Sequence, residues 1–239
     1  MKDAPLKGET AIYNLKNNDD ETPLFVGDKN VQMVLMNSGL KHLELTKPDS
    51  TTLLWSFTKE RYDTVSLNII DALRHQVNQR VTTVEDYSVY REGRVKVERT
   101  PVFAAEHARI VREYLEAAKR LEIQLDTVME DGFTLLHHCF KKNIMARGTS
   151  DGYGKYLLDE LGHQRHMTYK GMTPVLSTDR MKVESVEMYV RSVYMDDSEK
   201  IALYQHCLNK RMLRSIIAEK LCLALPNINS RRLSYVTDY

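Results

Sequence analysis

The chain has 239 residues, 42% of them hydrophobic and 28% charged, with 34 Lys+Arg against 33 Asp+Glu. This is the composition of a folded chain long enough to bury a sizeable core, not of a disordered one. The near-zero net charge argues against nucleic acid or an anionic membrane as the main partner, and no run of apolar residues is long enough to predict a membrane span.

Met1-Lys2-Asp3-Ala4-Pro5 lacks an apolar core, so no secretory signal is expected. Residues 1–19 read as an N-terminal cap, in which Lys7–Tyr13 looks like a stunted copy of a phrase that recurs from residue 20 onward. The full copies are Thr22-Pro23-Leu24-Phe25, Thr52-Leu53-Leu54-Trp55, Thr100-Pro101-Val102-Phe103, Thr134-Leu135-Leu136-His137 and Thr173-Pro174-Val175-Leu176. Ile201-Ala202-Leu203-Tyr204 is a degenerate sixth copy. The openings lie about 36 residues apart on average, which is a repeat period. The Thr hydroxyl suits a helix N-cap, Pro suits the first helical position, and the aliphatic residue begins a buried face.

A second apolar segment follows each opening at helical spacing. The successive sets are Val31, Val34 and Leu35; Val65, Ile69, Ile70 and Leu73; Ile110, Val111, Tyr114 and Leu115; Tyr156, Leu157, Leu158 and Leu161; Val183, Val186, Tyr189 and Val190; and Leu213, Ile216, Ile217 and Leu221. Gly39 and Gly162 are placed as C-caps. The expected unit is a turn, a short helix, a loop and a longer helix. Pro226 stops the last helix, and residues 226–239 form a polar tail.

Two insertions break the period. The first, about residues 74–99, contains Tyr87–Val97, whose apolar and polar residues alternate on either side of Glu92-Gly93. That predicts a hairpin with a Gly-containing turn. It would serve as an arm that binds a partner through Tyr90, Arg91, Arg94 and Lys96, or else fold back on its own repeat. The second, residues 146–154, is rich in Gly beside Arg147 and Lys155. No Gly-Lys-Ser/Thr follows, so a flexible loop is expected and not a phosphate cradle.

Candidate chemistry is sparse. His137, His138 and Cys139 are adjacent, but neighbours on a helix point about 100° apart and do not face one ion. His163 and His166 at i, i+3 can share a helical face, although zinc needs further ligands and none is evident nearby. The acidic pairs Asp19-Asp20, Glu130-Asp131 and Asp196-Asp197 precede helix openings, where they complement the dipole. Cys139, Cys207 and Cys222 are odd in number and widely spaced, which suggests a reducing cytoplasmic setting and no disulfide framework. No hydrolase, nucleotide or metalloprotease motif is found. The expectation is therefore a non-catalytic chain with no cofactor and no metal. The alternatives are an enzyme or metal-binding protein built on the His137, His163 and His166 region, or a structural protein that self-assembles by strand pairing along the hairpin.

Asp131-Gly132-Phe133-Thr134-Leu135-Leu136-His137-His138-Cys139 resembles the opening of a repeat in the ankyrin-repeat family, Thr-Pro-Leu-His-x-Ala, and the resemblance extends over about residues 20–225. It implies an all-α, ankyrin-like helical solenoid of five to six irregular repeats with an inserted β-hairpin arm. It also implies a protein–protein interaction scaffold whose partner is another protein. In that family His137 would tie adjacent turns together, and Cys139 would fill the small buried position. Trp55, Phe103 and Tyr204 would border the concave groove as binding hot spots, or pack between repeats. Divergence with insertions resembles pathogen or viral effectors of the family, for which the target would be a host protein.

Overall fold

The computed structural model describes Asn18, Thr22, Phe25 and residues 51–60, 65–146, 152–178 and 182–222. Most of the expected cap at 1–19, most of the first opening at 22–39, residues 147–151 of the second insertion and the tail at 226–239 lie outside the described residues. The chain divides into two compact units. One takes residues up to 85, 95–105 and 113–126; the other takes 86–94, 106–112 and the residues from 127 onward.

In the first unit, helix α1 (Leu53–Glu60) starts where the sequence places a cap. The Thr52 hydroxyl accepts the Trp55 N–H at 3.1 Å, satisfying one of the amides that a helix start leaves unpaired. Leu53, Leu54, Trp55 and Phe57 are buried. Helix α2 (Leu67–Ala72) buries Ile69 and Ile70. A 3₁₀ turn, Arg74–Gln76, then brings Gln76 back to α1, where its Oε1 accepts the Leu54 N–H at 2.9 Å. Strands β1 (Val81–Asp86) and β2 (Arg94–Arg99) pair as an antiparallel ladder.

Alternation puts Val81, Thr83, Glu85, Val95, Val97 and Arg99 on the covered face, while Thr82, Val84, Lys96 and Glu98 are exposed. Val81 packs with Trp55 and Ala104. Arg99 is buried with Nε 3.6 Å from Glu85, and its guanidinium lies 5.9 Å from the centre of the Phe103 ring. Helix α3 (Ala108–Arg120) contributes its second half to this unit. There the Tyr114 hydroxyl lies 2.5 Å from Thr58 Oγ1, whose own hydrogen goes to the Leu54 carbonyl at 2.7 Å.

The second unit repeats the same local device. Thr134 caps α4 (Leu135–Lys141) by accepting the His137 N–H at 3.2 Å. After α5 (Tyr153–Leu161) comes a 3₁₀ turn, Gly162–Gln164, and Gln164 Oε1 accepts the Leu136 N–H at 3.0 Å. Its Nε2 donates to Thr127 Oγ1 at 2.9 Å. Tyr169-Lys170-Gly171-Met172 is a tight turn with both central residues at positive φ, 50° and 76°, a conformation that suits Gly171. Helices α6 (Val183–Ser192), α7 (Asp197–Asn209) and α8 (Ser215–Cys222) complete the described chain.

The all-α ankyrin-like solenoid is thus corrected: the described residues form eight helices plus a two-stranded sheet, a mixed α and β fold with no solenoid. Two physical reasons are visible. First, the β-branched residues Val81, Thr82, Thr83, Val84, Val95 and Val97 form a ladder, 81–86 against 94–99, that begins before the hairpin expected at 87–97. Second, the two described Pro-bearing openings, at Thr100 and Thr173, give 3₁₀ turns, Pro101–Ala104 and Val175–Ser177. At the latter the Ser177 hydroxyl donates to the Pro174 carbonyl at 2.6 Å, competing with helix continuation. Helix α7 begins at Asp197 and not at Ile201, because Asp196 and Glu199 form a reciprocal capping box.

The glutamine bonds lead to a stability prediction. Gln164→Leu leaves the buried Leu136 N–H without its acceptor and should cost about 1–3 kcal/mol. Leu136→Ala, at a fully buried position, should cost about 2–5 kcal/mol. Arg94→Ala, at an exposed position, should change stability by less than about 0.5 kcal/mol. Urea denaturation of the three variants measures this directly, and a Gln164→Leu protein as stable as the parent would contradict it.

Candidate interaction site

His137, Cys139 and Cys207, which suggest chemistry in the sequence, are committed to packing. His137 is fully buried on α4. Its Nε2 lies 3.0 Å from the Met172 carbonyl. A carbonyl only accepts, so Nε2 carries the hydrogen and Nδ1 is bare. Thr134 Oγ1, 2.8 Å from Nδ1, donates to it. Burial pushes the imidazole pKa down to about 4, outweighing the smaller upward pulls of the Met172 carbonyl and Asp131. His206 makes the same kind of bond, Nε2 to the Thr178 carbonyl at 3.0 Å, and burial lowers its pKa too. Burial pushes the Cys139 thiol up and the Cys207 thiol up to about 12, the reverse of what a nucleophile needs.

His163 and His166 are exposed, and His137 is buried, so the structure does not assemble the three into one site. Among the described residues no group of three or more His, Cys, Asp or Glu side chains is placed to hold a metal ion.

The expected partner-binding residues separate into two sets. Trp55, Tyr90, Phe103 and Tyr204 are buried. Tyr90 sits in a ring cluster within the second unit, with centroids 5.4 Å from Tyr87 and 5.1 Å from Tyr169. Lys141 Nζ lies 3.7 Å from the centre of the Tyr87 ring. Lys170 pairs with Glu92, which raises the Lys170 pKa. The expected arm therefore packs its Tyr87 and Tyr90 rings, while Ser88 and residues 91–94 at its tip are exposed. Its turn is a 3₁₀ segment, Ser88–Tyr90, followed by Arg91 at φ 63°, and residues 87–90 are not strand. Arg91, Arg94 and Lys96 are exposed.

A different surface is built within the second unit, where the segment after α5 meets the start of α7. Glu199, in the first turn of α7, is its hub. Arg165 Nη2 lies 2.7 Å from Glu199 Oε2 and 2.9 Å from the Tyr194 carbonyl. Tyr189 donates to Glu199 at 3.4 Å, and His166 Nδ1 is 3.7 Å from it. Burial pushes the Tyr189 phenol up to about 12, so it remains a donor at neutral pH.

Beside this network a pocket of about 180 Å³ is walled by Thr173, Val175, Leu176, Met195, Ala202 and Leu203. A second hollow, about 320 Å³, is bordered by Asp159, Arg165 and Tyr194, and Tyr189 lines both. Tyr194 is 86% exposed. Helix α7 carries apolar residues on two sides: Leu203, Tyr204 and Cys207 are buried, whereas Ile201 and Leu208 are 40% and 44% exposed. Of this surface the sequence offered His166 as candidate chemistry, as half of a histidine pair, and Thr173, Val175, Leu176, Tyr189, Ala202 and Leu203 as repeat positions. Glu199 lies 33 residues beyond His166, and nothing local links the two. The chain matches no protein-family profile, no curated protein and no solved structure.

The histidine geometry sets the acid response. In the unfolded chain a histidine takes its proton near pH 6.5, whereas folded His137 resists until about 4. The unfolded state binds more protons across that window, so stability is complete above it and is lost as pH falls through it, by about 3 kcal/mol in order of magnitude. Thermal melts from pH 7 to pH 4.5 should show a steeper acid loss for the parent than for His137→Gln. Equal slopes would contradict this reading.

Proposed function

We propose that this chain is a non-catalytic protein-binding scaffold that engages a partner through the exposed side of α7 and the adjoining Arg165–Tyr194 surface. The carrying observation is that Ile201 and Leu208 of α7 are partly exposed although the same helix has a buried apolar face, and that Tyr194, which borders the second hollow, is 86% exposed. An exposed apolar group next to a pocket is the usual mark of an interaction site. The packing roles of His137, His206, Cys139 and Cys207 support the same reading, because these side chains serve the core. Free, buried Cys139 and Cys207 also fit the reducing cytoplasmic setting. No helix among the described residues is long and apolar enough to cross a membrane.

The exposed row Arg91, Arg94 and Lys96 offers a rival surface, and one experiment separates the two. Three full-length proteins are immobilised and used to capture partners from cell lysate: the parent, a Tyr194→Ala/Ile201→Glu variant and an Arg94→Ala/Lys96→Ala variant. A stoichiometric protein partner should be kept by the hairpin variant and lost by the α7 variant, with all three melting alike. Retention by the α7 variant would overturn the assignment.

A further inference from the structure

The hairpin carries a second surface, independent of α7, in the backbone along its outer edges. The Tyr87 N–H donates to the Gly93 carbonyl at 3.0 Å. That sets the register of β1 against β2: 85 faces 95, 83 faces 97 and 81 faces 99 as hydrogen-bonded pairs. The residues between them turn their N–H and C=O groups away from the partner strand. These are Thr82, Val84 and Asp86 on β1, and Arg94, Lys96 and Glu98 on β2. Among the described residues the sheet has two strands, so no described strand continues it past either edge.

The two edges differ. On β2, Arg94 and Lys96 are charged and exposed, and the Glu98 carbonyl accepts from the Arg99 guanidinium at 2.9 Å. Exposed charges of this kind keep an edge from pairing. On β1 that protection is missing. Val81–Asp86 contains no Lys, Pro or Gly, its first four residues are all β-branched, and Val84 is 56% exposed.

What this edge accepts is specified by its own sequence. Along the exposed face, positions 80, 82, 84 and 86 are Arg, Thr, Val and Asp. That order is its own complement when the strand is reversed. In an antiparallel pair of β1 strands with Thr83 on the two-fold axis, Thr82 faces Val84 of the second copy and Arg80 faces Asp86 of the second copy, each contact occurring twice. Thr82 and Val84, whose backbone groups point outward, become the hydrogen-bonded pairs of this register, and no carboxylate faces another. Asp86 has an oxygen to offer. Its bonds from the Ser88 hydroxyl and amide both end on Oδ1, and they hold its carboxyl below the usual range, so it is charged at neutral pH. Lys141 and Arg94 act on Asp86 from its own chain, and Arg80 has contacts of its own; the intermolecular pair adds to these instead of replacing them.

We infer that two copies of this chain associate edge to edge through β1, antiparallel about Thr83, as a two-fold dimer. The backbone ladder supplies affinity, and the Arg80–Asp86 pairs select the register. This dimer stands apart from the scaffold reading; where both hold, one particle carries two α7 surfaces.

The test is sedimentation equilibrium of the full chain over a wide concentration range. The parent should pass from one to two chain masses as concentration rises, and stop there. Val84→Pro removes an outward N–H that the hairpin ladder does not use, and should raise the dimer dissociation constant roughly tenfold or more. Arg80→Asp and Asp86→Arg each set like charges opposite one another, and each should be mainly monomeric alone. Mixed in equal amounts they restore both opposite-charge pairs and should dimerise, which misfolded variants could not do. A parent that stays monomeric, growth beyond the dimer, a dimer untouched by Val84→Pro, or a mixture no better than its components would overturn the inference. A dimer lost in the Tyr194→Ala/Ile201→Glu variant but kept by Val84→Pro would assign association to α7 and overturn it as well, leaving the scaffold reading in place.

Discussion

Two buried glutamines, Gln76 and Gln164, impose the constraint on which each unit depends. Each accepts the amide hydrogen of the second residue of a short helix, Leu54 or Leu136, that its own backbone cannot pair. A helix of seven or eight residues is marginal alone, and it persists here because the first turn is closed twice: by a threonine at the cap and by a glutamine that returns from a later 3₁₀ turn. The device is local in chemistry but long-range in sequence. It fixes where the next turn must come, and so it sets the path of the chain inside each unit.

His137 extends that constraint in the second unit. It ties the Thr134 cap to the Met172 carbonyl, so a helix start and a β-turn are held by one ring. The hydrogen bond that Thr134 donates to Nδ1 and the buried position both oppose protonation. A residue type usually associated with catalysis is thus used as a neutral strut. The same trade-off explains the silent cysteines, which fill small core spaces with their thiols protonated. With these groups committed inward, apolar and acidic side chains around α7 and a charged hairpin face are among the exposed features of the described residues.

Much of the local framework was legible. Thr52 and Thr134 announce their helices because the hydroxyl precedes a run of aliphatic residues, and Gly132 and Gly171 mark turns that need positive φ. The partnership of Gln76 and Gln164 was not legible, since an acceptor 22 or 28 residues away leaves no local pattern. The hairpin register failed for a physical reason. Tyr87 and Tyr90 alternate like strand residues, but on a 3₁₀ turn residues three apart point the same way, and both rings join one cluster. Asp86 stabilises that turn by accepting from Ser88. Measuring by the Thr period also hid the start of α7, although Asp196-x-x-Glu199 is itself a helix-start signature. The proposed interaction surface was hardest to see, because Arg165, Tyr189, Tyr194 and Glu199 meet only once α6 and α7 are placed.

The most direct measurement is the tautomer and protonation state of the His137 ring, read from its imidazole ¹⁵N shifts in a long-range proton–nitrogen correlation spectrum tracked with pH. A neutral ring with hydrogen on Nε2, unchanged through pH 6 and titrating only near 4, would show that the histidine is a buried strut accepting from Thr134. Hydrogen on Nδ1, or protonation near the ordinary histidine value, would contradict the bond to Met172 and the role of His137 as a neutral strut.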